Sequence, residues 1–267
     1  MKQYQAILQH ALDNGTWQEN RTDIRTKMVP GMMFQWDMRD GFPAVTTKRL
    51  AWKQVVGELL GFLRGASTVT EFNALGCTVW DANGAAWDAS GRLGRIYGVQ
   101  WSDWGGELDQ MAHLLDTVRR NPTSRRMIVT AWNPLELEQM ALPPCHYSFQ
   151  VVIEQSTQRM HLLWNQRSVD MFLGLPFNIA SYGLLLHILA AMTGYIPGTL
   201  TGFLADVHIY ENHLDQVATV LEREPYAAPT LWMNDAVPHA ALSELQPEWF
   251  MLDEYAHHGA VPAPMAV

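Results

Sequence analysis

The chain is short of cysteine and of charge, and each shortage excludes a class of protein. Its 267 residues include two cysteines, Cys77 and Cys145, too few for a disulfide framework. We therefore expect a reducing compartment, the cytoplasm. Charged residues make up 17% of the chain, against about a quarter in a typical domain, while apolar residues make up 48%. This imbalance predicts apolar surface hidden in an oligomer interface as well as in a core.

Other common signals are missing too. The sequence has no internal repeat, no phosphate-binding glycine loop and no His/Cys spacing typical of a metal site, so no metal is expected. Residues 1–5 lack the apolar core of a signal peptide. The most apolar run, residues 179–192, contains Ser181 and His187 and is short for a bilayer, which predicts a buried helix.

The net charge of −9 argues against a general affinity for nucleic acid, which needs a basic footprint. We therefore expect neither a nucleic acid nor a membrane as partner. Anionic ligands would have to be met by local arginines.

Apolar spacing predicts helices mixed with antiparallel strands. Three- and four-residue spacing predicts helices over residues 4–14, 52–63, 108–118 and 212–223. Alternation predicts strands over residues 32–38, 77–81, 127–132, 148–153, 160–164 and 204–210. No Gly-, Ser- or Pro-rich linker divides the chain. The pattern predicts one α+β domain over residues 1–267.

Cys145 has two interpretations. It follows Pro143 and Pro144, whose rings hold the backbone stiff and extended. The plain interpretation is a buried, small apolar side chain. The alternative is a nucleophile, which must be a thiolate and needs cations or donors nearby, because free cysteine titrates near about 8.5. The candidates for this activation are Arg125, Arg126, His146 and Arg167.

Several other polar or aromatic residues have open interpretations. Glu58, among apolar neighbours, is either exposed at a helix edge or a buried acid with a raised pKa, and spacing alone favours exposure. Asp206, His208 and Tyr210 share one face of a strand, which argues against burial of that face in a plain core. The tryptophans of residues 80–101 fit a core or a platform for a ring ligand, and periodicity favours the core.

Taken in order, the motifs resemble the thymidylate synthase family nearly end to end. The residues that carry this resemblance are Arg21-Thr22, Asp40-Gly41-Phe42-Pro43, Thr46-Thr47-Lys48, Glu58-Leu59-Leu60, Val79-Trp80-Asp81, Tyr97-Gly98, Ser124-Arg125-Arg126, Met140-Ala141-Leu142, Cys145-His146, Gln166-Arg167-Ser168, Asp170, the run 173–182, Asp206, His208, Tyr210 and the closing run 263–267. The family pattern is not matched at Ala51, Gly61, Asn83 and Pro262.

The resemblance implies a mixed sheet that packs sheet to sheet in a homodimer, with helices on its other face. It also implies dUMP as acceptor and 5,10-methylenetetrahydrofolate as co-substrate. Cys145 would add to C6 of uracil, which makes C5 a nucleophile toward the folate methylene. Hydride from tetrahydrofolate would then give dTMP and dihydrofolate.

Two alternatives accompany this reading. Water instead of hydride would give 5-hydroxymethyl-dUMP, as in the related deoxypyrimidine-monophosphate hydroxymethylases. The second alternative is a nucleotide-binding protein without turnover. Trp80, Asn178 and the apolar tail favour methylation, and the intact set of Cys145, Glu58, Tyr97 and Asn178 disfavours a protein without turnover.

The resemblance also implies a role for each matching residue. The implied catalytic residues are Cys145, Glu58, Tyr97, His146, Asn178 and Asp170. Those implied to bind dUMP are Arg21, Gln166, Arg167, Ser168, Asn178, His208 and Tyr210, with Arg125 and Arg126 from the other protomer. Those implied to bind the folate are Lys48, Val79, Trp80, Leu142, Asp170, Gly174, Phe177, Ala266 and Val267. Asn178 would donate to uracil O4 and accept from N3–H, a pattern that cytosine reverses.

Overall fold

A six-stranded mixed sheet forms the centre of the computed structural model, which describes residues 1–265. Its strands are β1 (Thr16–Gln18), β2 (Thr26–Asp37), β3 (Ile128–Thr130), β4 (His146–Glu154), β5 (Arg159–Asp170) and β6 (Ile196–Tyr210), in the order β1-β2-β6-β5-β4-β3. A separate hairpin pairs β7 (Thr230–Met233) with β8 (Phe250–Asp253). Together with the helices, this sheet confirms the predicted α+β class.

The helices in the described residues are α1 (Lys2–Asn14), α2 (Trp52–Leu63), α3 (Val69–Ala74), α4 (Asp81–Trp87), α5 (Tyr97–Ser102), α6 (Gln110–Arg120), α7 (Gly174–Thr193) and α8 (Leu214–Leu221). The predicted helices over residues 4–14, 52–63 and 108–118 correspond to α1, α2 and α6, within a few residues at each end. The helix predicted over residues 212–223 is shorter, because residues 211–213 form a separate 3-10 turn.

α7 explains why the sheet is mixed. β5 and β6 pair in parallel, which requires a long crossover, and α7 supplies it between them. The other pairs in this sheet are antiparallel. α7 is long and apolar enough to cross a membrane by composition, but 78% of its apolar window is buried in the fold. The prediction of a buried helix over residues 179–192 is confirmed.

One predicted strand is wrong. Residues 77–80 form a turn, and Asp81 begins α4. Cys77 and Trp80 are buried against neighbouring elements, so their apolar character reflects packing of a turn rather than alternation along a strand.

The two faces of the sheet differ. On one face, the buried Phe34, Phe149 and Trp164 meet the helices, and the Trp164 ring stacks on Tyr182 of α7 at 5.3 Å between ring centres. On the other face, large apolar side chains are exposed, among them Met33 at 57% and Phe203 at 44%, which are cross-strand partners. A monomer of this chain therefore leaves an apolar sheet face open to solvent.

Candidate active site

Arg167 holds the turn that carries Cys145. Cys145 immediately precedes β4, and its carbonyl accepts a hydrogen bond from the backbone N–H of Arg167 on β5 at 2.8 Å. The Arg167 guanidinium donates from Nε to the Pro144 carbonyl at 2.9 Å and from Nη2 to the Pro143 carbonyl at 2.8 Å. The stiff turn predicted from the two prolines is thus fixed at three points by one arginine.

Tyr97 and two arginines set the environment of the Cys145 thiol. The Tyr97 hydroxyl, at the start of α5, accepts the backbone N–H of Cys145 at 2.7 Å. Burial raises the pKa of the Cys145 thiol, and the charge of Arg167, a hydrogen bond from Tyr97 and the charge of Arg21 oppose that rise. Both arginines therefore lower the pKa of the Cys145 thiol, as expected, but their effect is smaller than the rise that burial causes.

Arg21 lies on the loop between β1 and β2, which is tied down from both sides. Inside the loop, Asn20 Oδ1 accepts from the backbone N–H of Thr22 at 2.8 Å. At its end, Arg25 Nε donates to Glu211 Oε2 at 3.2 Å, directly after Tyr210 at the end of β6. The loop thus places Arg21 on the same side of the fold as Cys145 and Tyr210.

Glu58 is a buried acid, so the exposure favoured by its spacing is wrong. It lies on α2, is 6% exposed, and accepts a hydrogen bond from Trp80 Nε1 at 3.1 Å. α2 is buried all round from Val55 to Leu63, and a helix without an exposed face leaves its one carboxylate inside. Burial raises the pKa of Glu58 to about 8, although the Trp80 bond acts against the rise. At neutral pH Glu58 therefore holds a proton.

The raised pKa of Glu58 predicts a pH effect on stability. We expect Glu58→Gln to stabilise the fold relative to wild type increasingly between pH 4.5, the ordinary pKa, and about 8, the pKa in the fold. Below this window both states hold the proton. Within it only the folded state does, so the wild-type free energy of unfolding falls by up to about 1.4 kcal/mol per pH unit. Urea unfolding at pH 5 and pH 8 measures the difference, and parallel pH curves for the two proteins would contradict it.

His146 is neutral and cannot supply the positive charge for which the sequence made it a candidate. It is 7% exposed, and burial lowers its pKa to about 3. Its Nδ1 lies 2.9 Å from the Tyr182 hydroxyl, and its ring packs against Tyr97 at 4.4 Å between ring centres. His146 therefore lies between Tyr182, to which it is hydrogen-bonded, and Tyr97, against which its ring packs. Sequence reasoning missed Tyr182, although its position four residues after Asn178 puts it on the same side of α7.

A chain of amides fixes the orientation of Asn178. Gln166 Oε1 accepts from Trp164 Nε1 at 3.1 Å, so its Nε2 must be the donor to the Ser168 carbonyl and to Asn178 Oδ1, each at 3.0 Å. Asn178 Oδ1 is thereby set on the Gln166 side, with one lone pair left, and its NH₂ group remains free to donate. Asn178 is 8% exposed.

The strand face with three polar residues is also ordered. His208 Nδ1 lies 2.9 Å from Asp206 Oδ1, which leaves Nε2 as an acceptor when Nδ1 carries the proton. The Tyr210 ring packs edge-on against His208 at 5.2 Å. Burial raises the pKa of Tyr210, the charges of Asp170 and Cys145 add to the rise, and the charge of Arg21 opposes it.

Asp170, the last residue of β5, lies at the turn that leads into α7. Its Oδ1 accepts from the backbone N–H groups of Phe172 and Leu173 at 2.9 and 3.2 Å, just before α7. A Cβ at Gly174 would lie 3.4 Å from Asp170 Cβ and 3.7 Å from Asn178 Oδ1, so the three residues border one space.

The remaining residues with an expected role toward the folate differ in exposure. Val79, Leu142 and Phe177 are half-buried, whereas Trp80 is 4% exposed. Lys48 is buried, and its Nζ bonds the Phe172 carbonyl over the Phe172 ring. Burial lowers the pKa of Lys48 to about 8, with Asp170 opposing. Ala266 and Val267 lie outside the described residues.

Gly61 and Phe72 form the wall behind Trp80. A Cβ at Gly61 would lie 2.3 Å from the Phe72 ring, so only glycine admits that ring. Phe72 fills the space and stacks on Trp80 at 5.7 Å. Gly61 does not match the family pattern, but the Phe72 ring fills the space beside it, so an aromatic ring still packs behind Trp80.

Arg125 and Arg126 are both exposed. They precede the edge strand β3. A surface cavity of about 620 Å³ beside α1, lined by Met1, Trp36 and Tyr226 among others, lies apart from these residues. Within residues 1–265 no three His, Cys, Asp or Glu side chains are grouped as a metal site requires.

Comparison with known proteins identifies the family of the chain. A family model described as thymidylate synthase matches residues 2–267. The thymidylate synthases of Bordetella parapertussis and Pseudomonas syringae pv. tomato are each 38% identical, and that of Pseudomonas putida is 39% identical. Each alignment covers 100% of both chains. The chain therefore belongs to the thymidylate synthase family.

Proposed function

We propose that Cys145 forms the covalent bond to C6 of dUMP in the methylation that gives dTMP. The chain is a folate-dependent methyltransferase with 5,10-methylenetetrahydrofolate as co-substrate. The names of its relatives favour methylation over hydroxymethylation. The observation that carries the proposal is the Cys145 thiol, which feels the charges of Arg167 and Arg21 and a hydrogen bond from Tyr97. We treat residues 1–267 as one catalytic domain of a soluble, cytoplasmic enzyme.

The raised pKa of Cys145 means that the free enzyme carries the thiol rather than the thiolate. Burial keeps the sulfur protonated at neutral pH, while Arg167, Tyr97 and Arg21 make the anion accessible. Addition to C6 uses the thiolate and moves the ring electrons toward C5 and O4. Four arginines, Arg21 and Arg167 with Arg125 and Arg126 of a second copy, would neutralise the dUMP phosphate.

Glu58 is the general acid that protonates O4 of the uracil ring. As the thiolate adds to C6, negative charge develops on O4 of the ring. A carboxyl group that keeps its proton up to about pH 8 can deliver it there, through water held near His146 and Asn178. Its conjugate base then accepts the C5 proton once C5 carries the new carbon. The neutral His146 serves this exchange without adding a competing positive charge.

Asn178 gives specificity for uracil. Because Gln166 fixes its orientation, its NH₂ group faces O4 and its second carbonyl lone pair remains for N3–H. On the sugar, His208 Nε2 accepts from the 3′-hydroxyl and Tyr210 lies beside it.

The Asn178 proposal predicts a change of substrate. We expect Asn178→Asp to shift the ratio of kcat/KM for dUMP over dCMP by at least about tenfold toward dCMP, because a carboxylate accepts from the cytosine amino group. Steady-state kinetics on both nucleotides measures the ratio. Asn212→Asp, an exposed asparagine after β6, is the matched control. An unchanged ratio in Asn178→Asp would count against the edge-reading role.

We further propose that a second copy covers the open sheet face. Support comes from Met33, Ile128, Val152 and Phe203, which are exposed on four strands, opposite the helix-covered face. Arg125 and Arg126, at the edge of that face, would then reach the partner's phosphate site. Each site in the dimer would combine residues of both copies.

Shared sites predict that two inactive variants restore each other. Cys145→Ser lacks the nucleophile and Arg126→Glu repels the partner's phosphate, so each alone should be inactive. After unfolding and refolding together, about half the dimers are mixed and carry one intact site of two, which gives about a quarter of wild-type activity. Activity that stays at the level of the separate variants would exclude sites shared between copies.

The reaction itself is tested by its product. Mass spectrometry of the nucleotide formed from dUMP and methylenetetrahydrofolate should show the gain of a methyl group. A gain of a hydroxymethyl group would overturn the methylation proposal.

A further inference from the structure

His213 is a buried histidine that joins the C-terminal segment to the site. It follows β6, has no exposed surface, and its ring lies between those of Phe172 at 5.6 Å and Tyr210 at 5.5 Å. Sequence analysis did not single it out.

Each ring nitrogen of His213 faces a different part of the molecule. Nε2 lies 2.7 Å from the Pro264 carbonyl oxygen. A carbonyl only accepts, so Nε2 carries the proton and donates it. Nδ1 is buried without a hydrogen-bond partner among residues 1–265 and lies 4.0 Å from Asp170 Oδ1. One ring therefore contacts the tail, approaches Asp170 and supports Tyr210.

We propose that His213 is a positioning residue that fixes the backbone of Pro264 on the Asp170 side of the site, through its Nε2–H bond to the Pro264 carbonyl. This inference rests on the proposed function, with Asp170 and the residues that follow Pro264 in the chain, Ala266 and Val267, among those that the family resemblance implies for folate binding. Proline at 264 limits its own backbone, so one bond to its carbonyl fixes the direction in which the chain continues.

A histidine with only a packing role would tolerate replacement by another ring, whereas a histidine that holds the tail would not. His213→Phe keeps the ring and removes the donor. His213→Gln keeps an N–H donor at a similar reach from the backbone and loses the ring. His187→Phe, which removes a part-buried histidine bonded to the Gly183 carbonyl within α7, is the control for loss of an interior histidine.

The kinetic test compares KM for the two substrates. In His213→Phe we expect KM for methylenetetrahydrofolate to rise about tenfold, as for loss of one hydrogen bond, while KM for dUMP changes less than about twofold. His213→Gln should reverse most of the rise in KM for methylenetetrahydrofolate, and His187→Phe should leave both KM values unchanged. Equal KM values in His213→Phe and wild type, or an equal rise for both substrates, would overturn the proposal.

A second measurement tests the bond between His213 and Pro264 directly, without kinetics. In ¹⁵N-histidine-labelled enzyme, the Nε2–H signal of His213, assigned by its loss in His213→Gln, should exchange slowly with water. A chain that ends at Ala263 should lose this protection, and continued protection without Pro264 would refute the tail bond. Wild-type turnover of dUMP is measured in parallel. Absence of turnover would count against the proposed function. The exchange result tests the bond between His213 and Pro264 independently of turnover.

Discussion

Replacing Cys145 with serine is expected to lower kcat for dTMP formation at least about a thousandfold. A serine hydroxyl is far less acidic than a thiol, so the nearby Arg167 and Arg21 cannot convert it into an anion at neutral pH. dUMP should still bind, with a Kd within about threefold of wild type, because phosphate, sugar and base contacts come from other residues. Steady-state kinetics and equilibrium binding of dUMP separate the two quantities.

Cys77→Ala is the matched control for the nucleophile. Cys77 is buried, and burial with the nearby Glu58 charge raises its pKa to about 12, so it is inert as a nucleophile. We expect this variant to keep kcat within about threefold of wild type, at some cost in stability. A Cys145→Ser enzyme that retained wild-type turnover would remove the covalent step from the mechanism.

Replacing Glu58 with glutamine is expected to lower kcat by about a hundredfold to ten-thousandfold, the range for loss of a general acid or base. The pH profile gives a second signature. The wild-type rate should fall above about pH 8, where Glu58 loses its proton, and the glutamine variant should lack this limb because its amide does not titrate. Rates measured from pH 6 to pH 10 test both statements.

Glu71→Gln is the control for Glu58→Gln. Glu71 closes a capping box with Thr68 at the start of α3, and backbone and hydroxyl donors lower its pKa. Glutamine can serve the same cap, so the variant should keep both kcat and the basic limb. A Glu58→Gln enzyme whose rate still falls above pH 8 would assign that limb to another group.

Glu58 shows the limit of local periodicity in predicting the fold. Apolar spacing predicts that α2 exists and where it ends, since both depend on neighbours in the chain. It cannot predict that α2 is buried all round, because that depends on elements distant in sequence. The parallel pairing of β5 with β6 is a property of the same kind, and follows only once α7 is known to cross over the sheet.

Residues 77–81 failed as a strand for a related reason. Val79 and Trp80 belong to types that are frequent in strands, but here they pack a turn against α2. Packing against distant parts of the chain determines their conformation, and composition alone cannot distinguish a strand from a buried turn.

The prediction of the site rests on family motifs that are ordered along the whole chain, rather than on local periodicity. Cys145, Tyr97 and Arg167 do come together, as the resemblance implies. Their electrostatics could not be predicted: His146 is neutral and Glu58 is protonated because of burial, which the motif does not encode. Tyr182 and His213 were missed because each acts through a contact with a residue far away in sequence.

The most direct test of the covalent step uses dUMP that carries fluorine at C5. Fluorine cannot leave as the proton does, so the adduct of enzyme, nucleotide and methylenetetrahydrofolate should persist. Mass spectrometry of the digested enzyme is predicted to show the nucleotide and folate on the peptide that contains Cys145. The same mass on the peptide of Cys77, or an unmodified Cys145 peptide after turnover of dUMP has been demonstrated, would contradict the account.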